Sequence, residues 1–482
     1  MIEHVEARGG AYADSVTLMQ VSRRVSASDG VEAALVAMGT PLNLDLALGM
    51  GFTLPANGSP DDLLVAIRAR DDGAVAAALV VAADALAARP RVSGRAGATA
   101  APRTVGSAAR DTSALALISV PGQHAFTEAM DALDAGCDVM IFSDNVPVEQ
   151  EVRLKSIAGE RGLLVMGPDC GTAVVGGVGL GFSHTVEPGP VGIVAASGTG
   201  CQQLLCLLDA AGVGVTAALG VGGRDLSAAV GGRSTLEGLA ALDADPATEL
   251  IVVVSKPPAA EVARHVRERA DASATPVQFA FLGEGQPDLT EAAEAAIRAA
   301  GGRVPEWPHW PGRSGAPRRG ALRGLFAGGT LCDEAMVIAA EHLGEIRSNI
   351  PLRSEWRVDA SERPAGHSMI DFGDDELTAG RPHPMIDQSL RLDRFAVEAA
   401  DPTTAVILLD VVLGHGAHPD PARELAPAFA AAELPVVVSL IGAHADPQDF
   451  NEQASVLQKA GAHVFTSNAQ AARFACGLIS RD

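Results

Sequence analysis

The sequence predicts a multidomain α/β protein with mostly parallel sheets. One glycine-rich pattern occurs twice, and continuous apolar runs alternate with helical stretches of about 12 residues. The 52 glycines and 29 prolines are spread among the apolar runs instead of forming one tail, as expected for many strand-to-helix turns. Continuous apolar strands are typical of parallel sheets, because helices cover both faces of such a sheet.

The repeated pattern predicts two related α/β domains. VAASGTGCQQLLCLLDAA (residues 194–211) is matched by LFAGGTLCDEAMVIAAE (residues 325–341). Two further matches follow, GGRDLSAAVGGR (222–233) with FGDDELTAGRP (372–382), and LAALDADPATELIVVVSKPP (239–258) with AVEAADPTTAVILLDVVLGHG (396–416). The repeat is too long for a solenoid unit and too weakly periodic for a propeller.

Composition excludes several classes of function. A net charge of −23 argues against a nucleic-acid surface and against an anionic membrane surface. The six cysteines are scattered without a CxxC pair, which is typical of reduced intracellular proteins. MIEHVEARGG has no signal-type apolar region, and no apolar run reaches the about 18 residues of a membrane span. We therefore expect a cytoplasmic protein without nucleic-acid or membrane partners.

The predicted domains follow the changes in pattern along the chain. Strand-like runs at 3–8, 31–38 and 63–68 with helical stretches at 12–28 and 71–88 predict a small ferredoxin-like α+β domain over residues 1–90. A linker at 91–112 precedes alternating strands and helices over 113–188. The first repeat occupies 189–302, a Pro-rich linker 303–319, and the second repeat 320–482.

The two glycine-rich loops are candidate anion sites. Ligands of open parallel sheets collect at the carboxyl ends of strands, where Ser197-Gly198-Thr199-Gly200 and Gly328-Gly329-Thr330 lie. Free N–H groups and the positive helix end suit phosphate or carboxylate. The alternative is a tight turn in which Ser or Thr caps the helix.

Three further strand ends carry candidate catalytic or binding side chains. Gly222 and Gly223 precede Arg224, which could clamp an anion or could form a surface pair with Asp225. Lys256 follows the apolar run 250–254 and either points into the crevice or is solvated.

His415 and His418 follow the run that ends near residue 412 and are candidates for acid–base catalysis or phosphate contact, with Gly414 and Gly416 beside His415. No third ligand is spaced near these histidines, so we predict no metal site. His383, beside Arg381, is a further polar candidate.

These loops carry a family resemblance. MGPDCGT (166–172) and GPVGIVAASGTG (189–200) resemble the GPNC and GIVSRSGT segments of succinyl-CoA synthetase α-subunits, and residues 120–155 resemble part of their CoA-binding domain. The second repeat resembles the C-terminal domain of the β-subunit. The whole chain, including YADSVTLMQVSR (12–23), VSKPP (254–258) and IDFGDDELTAGRPHPMID (370–387), resembles the FdrA family.

The resemblance implies a CoA-binding-like Rossmann domain at 113–188, followed by two flavodoxin-like domains fused in one chain without an ATP-grasp domain. The chain departs from the synthetases in two places. The segment FLGEGQPDLTEA (281–292) has no histidine where synthetases carry a phosphorylated histidine in a GHAG segment, and the early CoA-binding glycine motif is not recognisable in residues 1–110. A GxxxxGK[ST] phosphate loop is also missing from the sequence.

The FdrA resemblance implies a subunit of an oxamate carbamoyltransferase, which converts oxalurate and phosphate into oxamate and carbamoyl phosphate in allantoin breakdown, together with partner subunits in a hetero-oligomer. The two glycine-rich loops would then hold phosphate, Arg224 or Arg381 the substrate carboxylate, and His415 would protonate the leaving group, with Lys256 as a further catalytic cation. One alternative is an acyl-CoA synthetase of the succinyl-CoA ligase type, which binds CoA and forms a nucleoside diphosphate. A second alternative is a non-catalytic scaffold subunit.

Overall fold

The computed structural model describes residues 1–9, 11, 13, 15–55, 59, 62–87, 104–109, 114–313, 315–378 and 381–480. The chain divides into two compact units. The first contains Met1–Arg103 and Thr378–Pro382, and the second contains Thr104–Leu377 and His383–Asp482. None of the described helices is long and apolar enough to cross a bilayer.

The first unit is a small α+β domain. Its elements are β1 (Ile2–Arg8), α1 (Ser15–Ser26), β2 (Val31–Met38), α2 (Pro41–Gly49), β3 (Leu63–Ala69) and α3 (Asp72–Ala87). The strands form an antiparallel sheet in the order β1-β3-β2. Apolar residues of β3, such as Val65 and Ile67, pack with Leu18 and Val25 of α1. Helix α2, which the sequence did not predict, begins at Pro41 with Thr40 as its cap.

The second unit begins with a parallel three-stranded sheet. A short helix, α4 (Val105–Ala108), lies within the predicted linker 91–112, of which the rest falls mostly outside the described residues. The following elements are β4 (Leu115–Ile118), α5 (Gly122–Asp134), β5 (Asp138–Ile141), α6 (Val148–Glu160) and β6 (Val165–Met166). The strand order is β4-β5-β6.

The first repeat forms a six-stranded sheet. Its elements are β7 (Thr172–Val175), β8 (Val178–Gly181), β9 (Pro188–Ala196), α7 (Gly198–Ala210), β10 (Val215–Gly220), α8 (Arg233–Ala244), β11 (Leu250–Ser255), α9 (Ala260–Asp271), β12 (Val277–Phe281) and α10 (Leu289–Ala299). The order is β12-β11-β9-β10-β7-β8. The hairpin β7–β8 lies before the predicted boundary at residue 189 but belongs to this sheet, because β7 pairs with β10.

The second repeat forms a seven-stranded sheet. Its elements are β13 (His309–Trp310), β14 (Ala321–Phe326), α11 (Gly329–Leu343), β15 (Ile346–Arg347), a 3₁₀ turn (Ser354–Trp356), β16 (His367–Asp371), α12 (Asp375–Thr378), α13 (Ser389–Ala400), β17 (Thr404–Val412), α14 (Pro421–Ala431), β18 (Val436–Ile441), α15 (Phe450–Lys459), β19 (His463–Phe465) and α16 (Asn468–Gly477). The order is β13-β19-β18-β17-β14-β16-β15. Strand β13 comes from the predicted linker 303–319 and pairs with β19.

The two repeats have the same topology, which confirms the α/β fold class and the duplication. The first strand of each repeat, β9 or β14, lies between the next two long strands, β10 and β11 or β16 and β17. This is the order of flavodoxin-like sheets. Residues of both repeats belong to one hydrophobic core, with Leu205 of α7 and Ala335 of α11 fully buried in it.

The shared core generates a prediction about stability. Leu205→Ala is expected to lower the free energy of unfolding of the second unit by about 2–5 kcal/mol, because it opens a cavity between the repeats. The matched control is Val178→Ala, since Val178 is 59% exposed and its truncation should change stability by less than about 0.5 kcal/mol. Urea denaturation followed by circular dichroism measures both values, and equal stability of the two variants would contradict a shared core.

Candidate functional site

The starts of α7 and α11 meet where the two repeats pack together. Ser197 Oγ donates a hydrogen bond of 2.8 Å to Thr330 Oγ1 and accepts one of 3.0 Å from Gly200 N. Ser197 is thus the N-cap of α7, as in the alternative interpretation, but it also joins two domains. A Cβ atom at Gly328 would lie 2.6 Å from Thr199 Cγ2, so this approach requires glycine.

Backbone N–H groups remain available at both helix starts. The N–H groups of Gly198 and Thr199, and of Gly329 and Thr330, donate to no acceptor in the described part of the chain. Such groups at a helix start carry partial positive charge and suit an anion. The predicted anion loops therefore lie in direct contact, and the surface formed by Gly198, Gly329 and the neighbouring Lys256 is called the crevice below.

Gly328 has a different role from the one predicted, because its N–H group is already bonded. Asp410, at the end of β17, accepts hydrogen bonds from Ala327 N (2.7 Å) and Gly328 N (2.8 Å). The buried Arg391 guanidinium pairs with Asp410 Oδ1 at 2.7 Å. This buried ion pair fixes the second glycine-rich loop. The N–H groups of Gly329 and Thr330 are then the ones in this loop that could bind an anion.

Lys256 lies at the same crevice. Its Nζ atom is 3.3 Å from Asp333 Oδ2 on α11, and a Cβ atom at Gly329 would lie 3.0 Å from Nζ. Burial opposes the charge, but Asp333 and Asp371 raise the pKa of Lys256 above its ordinary value. The side chain is therefore a fixed ammonium group beside the start of α11, which favours its predicted position in the crevice over a fully solvated one.

Asp371 and Asp333 are two further site residues that are not among the candidates predicted from the sequence. Asp371 ends β16, is 5% exposed, and accepts a hydrogen bond of 2.9 Å from Gly373 N through Oδ1. Burial raises the pKa of Asp371 to about 7 and raises that of Asp333 as well. A signal was present, because HSMID ends an apolar run at the carboxyl edge of a strand, where functional residues collect.

Arg224 lies at the rim of the crevice and also holds α6 in place. Its Nη2 atom is 3.0 Å from Glu151 Oε2 and donates to Val146 O at 2.9 Å, while the guanidinium is partly exposed. Asp225 is not its partner, because Asp225 is buried and bonds to Lys155 Nζ at 2.7 Å. The alternative of an Arg224–Asp225 surface pair is therefore wrong.

Gly222, two residues before Arg224, allows the backbone to pack closely against the segment that contains Pro168. A Cβ atom at Gly222, where φ is 88°, would lie 2.4 Å from Pro168 O. Asp375, at the start of α12, lies near both Arg224 and Lys256. Desolvation and the charge of Asp144 raise the pKa of Asp375, and the charges of Arg224 and Lys256 lower it. Gly223 lies near a second acidic group of this region, because a Cβ atom there would be 3.9 Å from Asp169 Oδ2, and the charges of Lys256 and Arg224 also act on buried Asp169.

His415 and its glycines contact a different part of the chain. His415 N donates to Ser183 O at 2.7 Å, and its Nε2 atom is 3.1 Å from Thr185 Oγ1. A Cβ atom at Gly414 would lie 2.5 Å from Ser183 O, and Gly416 has φ of 80°. The glycines therefore permit a close crossing between the repeats, and a role of Gly414 or Gly416 in anion binding stays a prediction.

His418 and His383 are held by protein groups. His418 Nε2 lies 2.5 Å from Glu424 Oε2, and His418 Nδ1 accepts a hydrogen bond of 2.8 Å from Asp420 N. Burial, with a smaller contribution from Arg391, lowers the pKa of His383 to about 4, so this ring is neutral near the crevice. The described residues hold no group of three or more His, Cys, Asp or Glu arranged for a metal ion. Arg381 is exposed and belongs to the first unit, so its role stays a prediction.

Two family models match the chain. A model described as CoA-ligase matches residues 325–478, which is most of the second repeat and includes the start of α11. A model described as the heavy metal-associated domain of AllF matches residues 1–102. These residues contain no cysteine and a single histidine, His4, so they lack the thiolates that bind soft metal ions.

The sequence is similar to a full-length relative and to parts of several ligases. It is 40% identical to the uncharacterized protein YahF of Escherichia coli K12, over 98% of this chain and 96% of YahF. It is 28% identical to the malate–CoA ligase subunit alpha of Methylorubrum extorquens (29% of this chain, 49% of that subunit) and 31% identical to a succinate–CoA ligase [ADP-forming] subunit alpha of Archaeoglobus fulgidus (29% and 49%). The chain thus spans about half the length of these ligase subunits.

The crowding around Gly329 gives a test of the site geometry. In Gly329→Ala the new methyl group would meet Asp371 Oδ2 at 2.6 Å and Lys256 Nζ at 3.0 Å, and we expect a loss of about 1–3 kcal/mol in unfolding free energy. The matched control is Gly198→Ala, at the start of α7, where a Cβ atom meets nothing within 4 Å. Thermal denaturation compares the two, and an unchanged melting temperature for Gly329→Ala would contradict the contact of α11 with Asp371 and Lys256.

Proposed function

Since the chain belongs to the FdrA-like, succinyl-CoA-synthetase-type family that includes YahF, we propose that it is an enzyme of the acyl-CoA synthetase type. The observation that carries this proposal is the meeting of the α7 and α11 starts, joined by the 2.8 Å Ser197–Thr330 hydrogen bond, because α11 lies in the CoA-ligase segment. The names of the similar ligases contain malate and succinate, which supports small carboxylic acids and their CoA thioesters as the proposed substrate class.

In this proposal the crevice holds the phosphate or acyl phosphate group that such chemistry requires. The N–H groups of Gly198, Thr199, Gly329 and Thr330 would surround its oxygens, and the Lys256 ammonium would neutralise part of its charge. These donors are fixed before the substrate arrives, so they can stabilise charge that develops on the phosphate and acyl oxygens in the transition state. Arg224 at the rim would hold the distal carboxylate of a dicarboxylic substrate.

Carbamoyl transfer from oxalurate stays a prediction of the sequence resemblance. Carbamoyl phosphate is a small dianion and would use the same helix starts and Lys256. The similar proteins named above are CoA ligases or uncharacterized, so the comparisons favour the acyl-CoA alternative. The two functions share the anion site and differ in the acyl donor, so one set of assays can separate them.

Thiol release provides the functional test. The full chain, co-purified with any partner subunits, is incubated with succinyl-CoA or malyl-CoA and phosphate, with and without ADP, and free CoA is measured with a thiol reagent. Lys256→Met is expected to lower kcat/KM by about 100-fold or more, because it removes the fixed cation at the crevice.

The matched control is Lys459→Met, which changes an exposed lysine at the end of α15 and should retain full activity. Carbamoyl phosphate formation from oxalurate and phosphate is measured in parallel on the same samples. Oxalurate-dependent product without thiol release would overturn the acyl-CoA proposal in favour of carbamoyl transfer. Equal activity of both lysine variants would instead place the chemistry outside this crevice, as expected for a scaffold subunit.

A further inference from the structure

The carboxyl group of Asp371 lies beside the start of α11 with one oxygen unused. Its backbone is fixed by Asn349, whose side chain bonds to both Asp371 N (3.0 Å) and Asp371 O (2.9 Å). Oδ1 is taken by Gly373 N, but Oδ2 receives no hydrogen bond from the part of the chain that the structure describes. Oδ2 points at the first residue of α11, since a Cβ atom at Gly329 would lie 2.6 Å from it. An oxygen with no hydrogen-bond partner among the described residues, on a largely buried side chain, therefore lies beside the start of α11.

The charges around Asp371 make this oxygen unfavourable for an anion when Asp371 is ionised. The titratable groups that face it come from five segments of the second unit, and they are Lys256, Asp333 with Cys332, Asp410, Arg391 and His383.

Most of these charges cancel. Arg391 neutralises Asp410 at 2.7 Å, burial keeps the Cys332 thiol protonated, and the His383 ring is neutral. Lys256 is then left against Asp333 and Asp371, and its charge also acts on Asp169 and Asp375 beside the Arg224 loop. If Asp333 and Asp371 are both ionised, Lys256 cannot neutralise them, and the negative charge beside the start of α11 repels a dianion.

We infer that Asp371 is a proton-linked ligand of the crevice: a dianion binds at the starts of α7 and α11 together with one proton, which resides on Asp371 Oδ2 and is donated to the anion in a hydrogen bond. This inference rests on the proposed function, because it assumes that the crevice binds a phosphate-like group. The proton comes from solvent on binding and returns to solvent on release. Asp371 is thereby a binding residue that makes affinity depend on pH.

The direction of the pH dependence follows from the buried position of Asp371. Burial raises the pKa of this carboxyl to about 7 in the protein, and a bound anion would raise the pKa further. Below that pH the carboxyl is already protonated, and affinity for the anion is constant. Above it each binding event must take up a proton, so affinity falls by about tenfold for each pH unit.

Sulfate is the suitable probe, because it stays a dianion throughout the range in which phosphate itself titrates. Isothermal titration calorimetry of the full chain with sulfate is carried out between about pH 5.5 and 8.5, in pairs of buffers with different ionisation enthalpies. We expect constant affinity below about pH 6, a tenfold loss per unit above about pH 7, and uptake of close to one proton at about pH 8.

Variants separate this inference from the proposed function. Asp371→Asn should take up close to one proton less than the parent chain at about pH 8 and should bind sulfate with an affinity that depends much less on pH. Asp359→Asn, which changes an exposed aspartate of the same domain, should behave as the parent chain. Lys256→Met should weaken binding at every pH and move the onset of proton uptake to higher pH, because the Lys256 charge lowers the pKa of Asp371. Circular dichroism and melting temperatures confirm that each variant is folded.

The possible results point to different conclusions. Sulfate binding without proton uptake in the parent chain, or proton uptake as large in Asp371→Asn as in the parent chain, would overturn the inference alone. No sulfate binding at any pH would overturn the anion site and the inference with it. Proton-linked sulfate binding without acyl-CoA turnover would support the inference and reject the acyl-CoA function.

Discussion

The close contact between the first turns of α7 and α11 is the constraint on which the rest of the second unit depends. Two helix starts can approach this closely only where side chains are absent, and a Cβ atom at Gly328 or Gly200 would meet Thr199 Cγ2 at 2.6 Å or Thr330 Cγ2 at 3.0 Å. The Ser197–Thr330 hydrogen bond satisfies both buried hydroxyls at this point. The carboxyl ends of β9 and β14, which precede the two helices, therefore lie next to the same crevice.

A set of buried polar side chains, here called the polar seam, fixes how the two repeats pack against each other. Glu334 on α11 accepts hydrogen bonds from Leu289 N at 2.6 Å and from Asn468 Nδ2 at 2.7 Å. Asn468 N in turn donates to Gln203 Oε1 at 3.1 Å, which links α16 to α7. A shift of either domain would leave several of these buried groups unpaired, and such groups are costly. The seam and the shared apolar core thus make the fused repeats a single rigid frame for the crevice.

The crevice combines donors for an anion with an excess of carboxyl groups. Backbone N–H groups and Lys256 attract an anion, while Asp333 and Asp371 beside them oppose it unless one carboxyl is protonated. A site of this kind can bind tightly in one protonation state and release in another, which suits an enzyme that must both hold and discharge a phosphate-like group. The strongly acidic surface of the chain, with its net charge of −23, makes the local cations more important for recognition.

By itself the sequence determined the fold class, the duplication and the positions of both helix starts. Apolar runs that end in Ser197 or Gly328 can form few structures other than strand-to-helix turns, because glycine and the capping hydroxyl specify them locally. It also placed Lys256 at a strand end, but it could not identify the partners of Lys256, Arg224 or His415.

Those partners were decided by tertiary structure, because they lie far apart in the chain. Arg224 pairs with Glu151 of another domain, His415 contacts Thr185, and Asp371 meets Lys256 across the two repeats. No local pattern encodes such pairings, since they depend on how two sheets pack once both cores have formed. The sequence thus determined where each strand ends, and only the packing of the repeats decided which of those ends share a crevice.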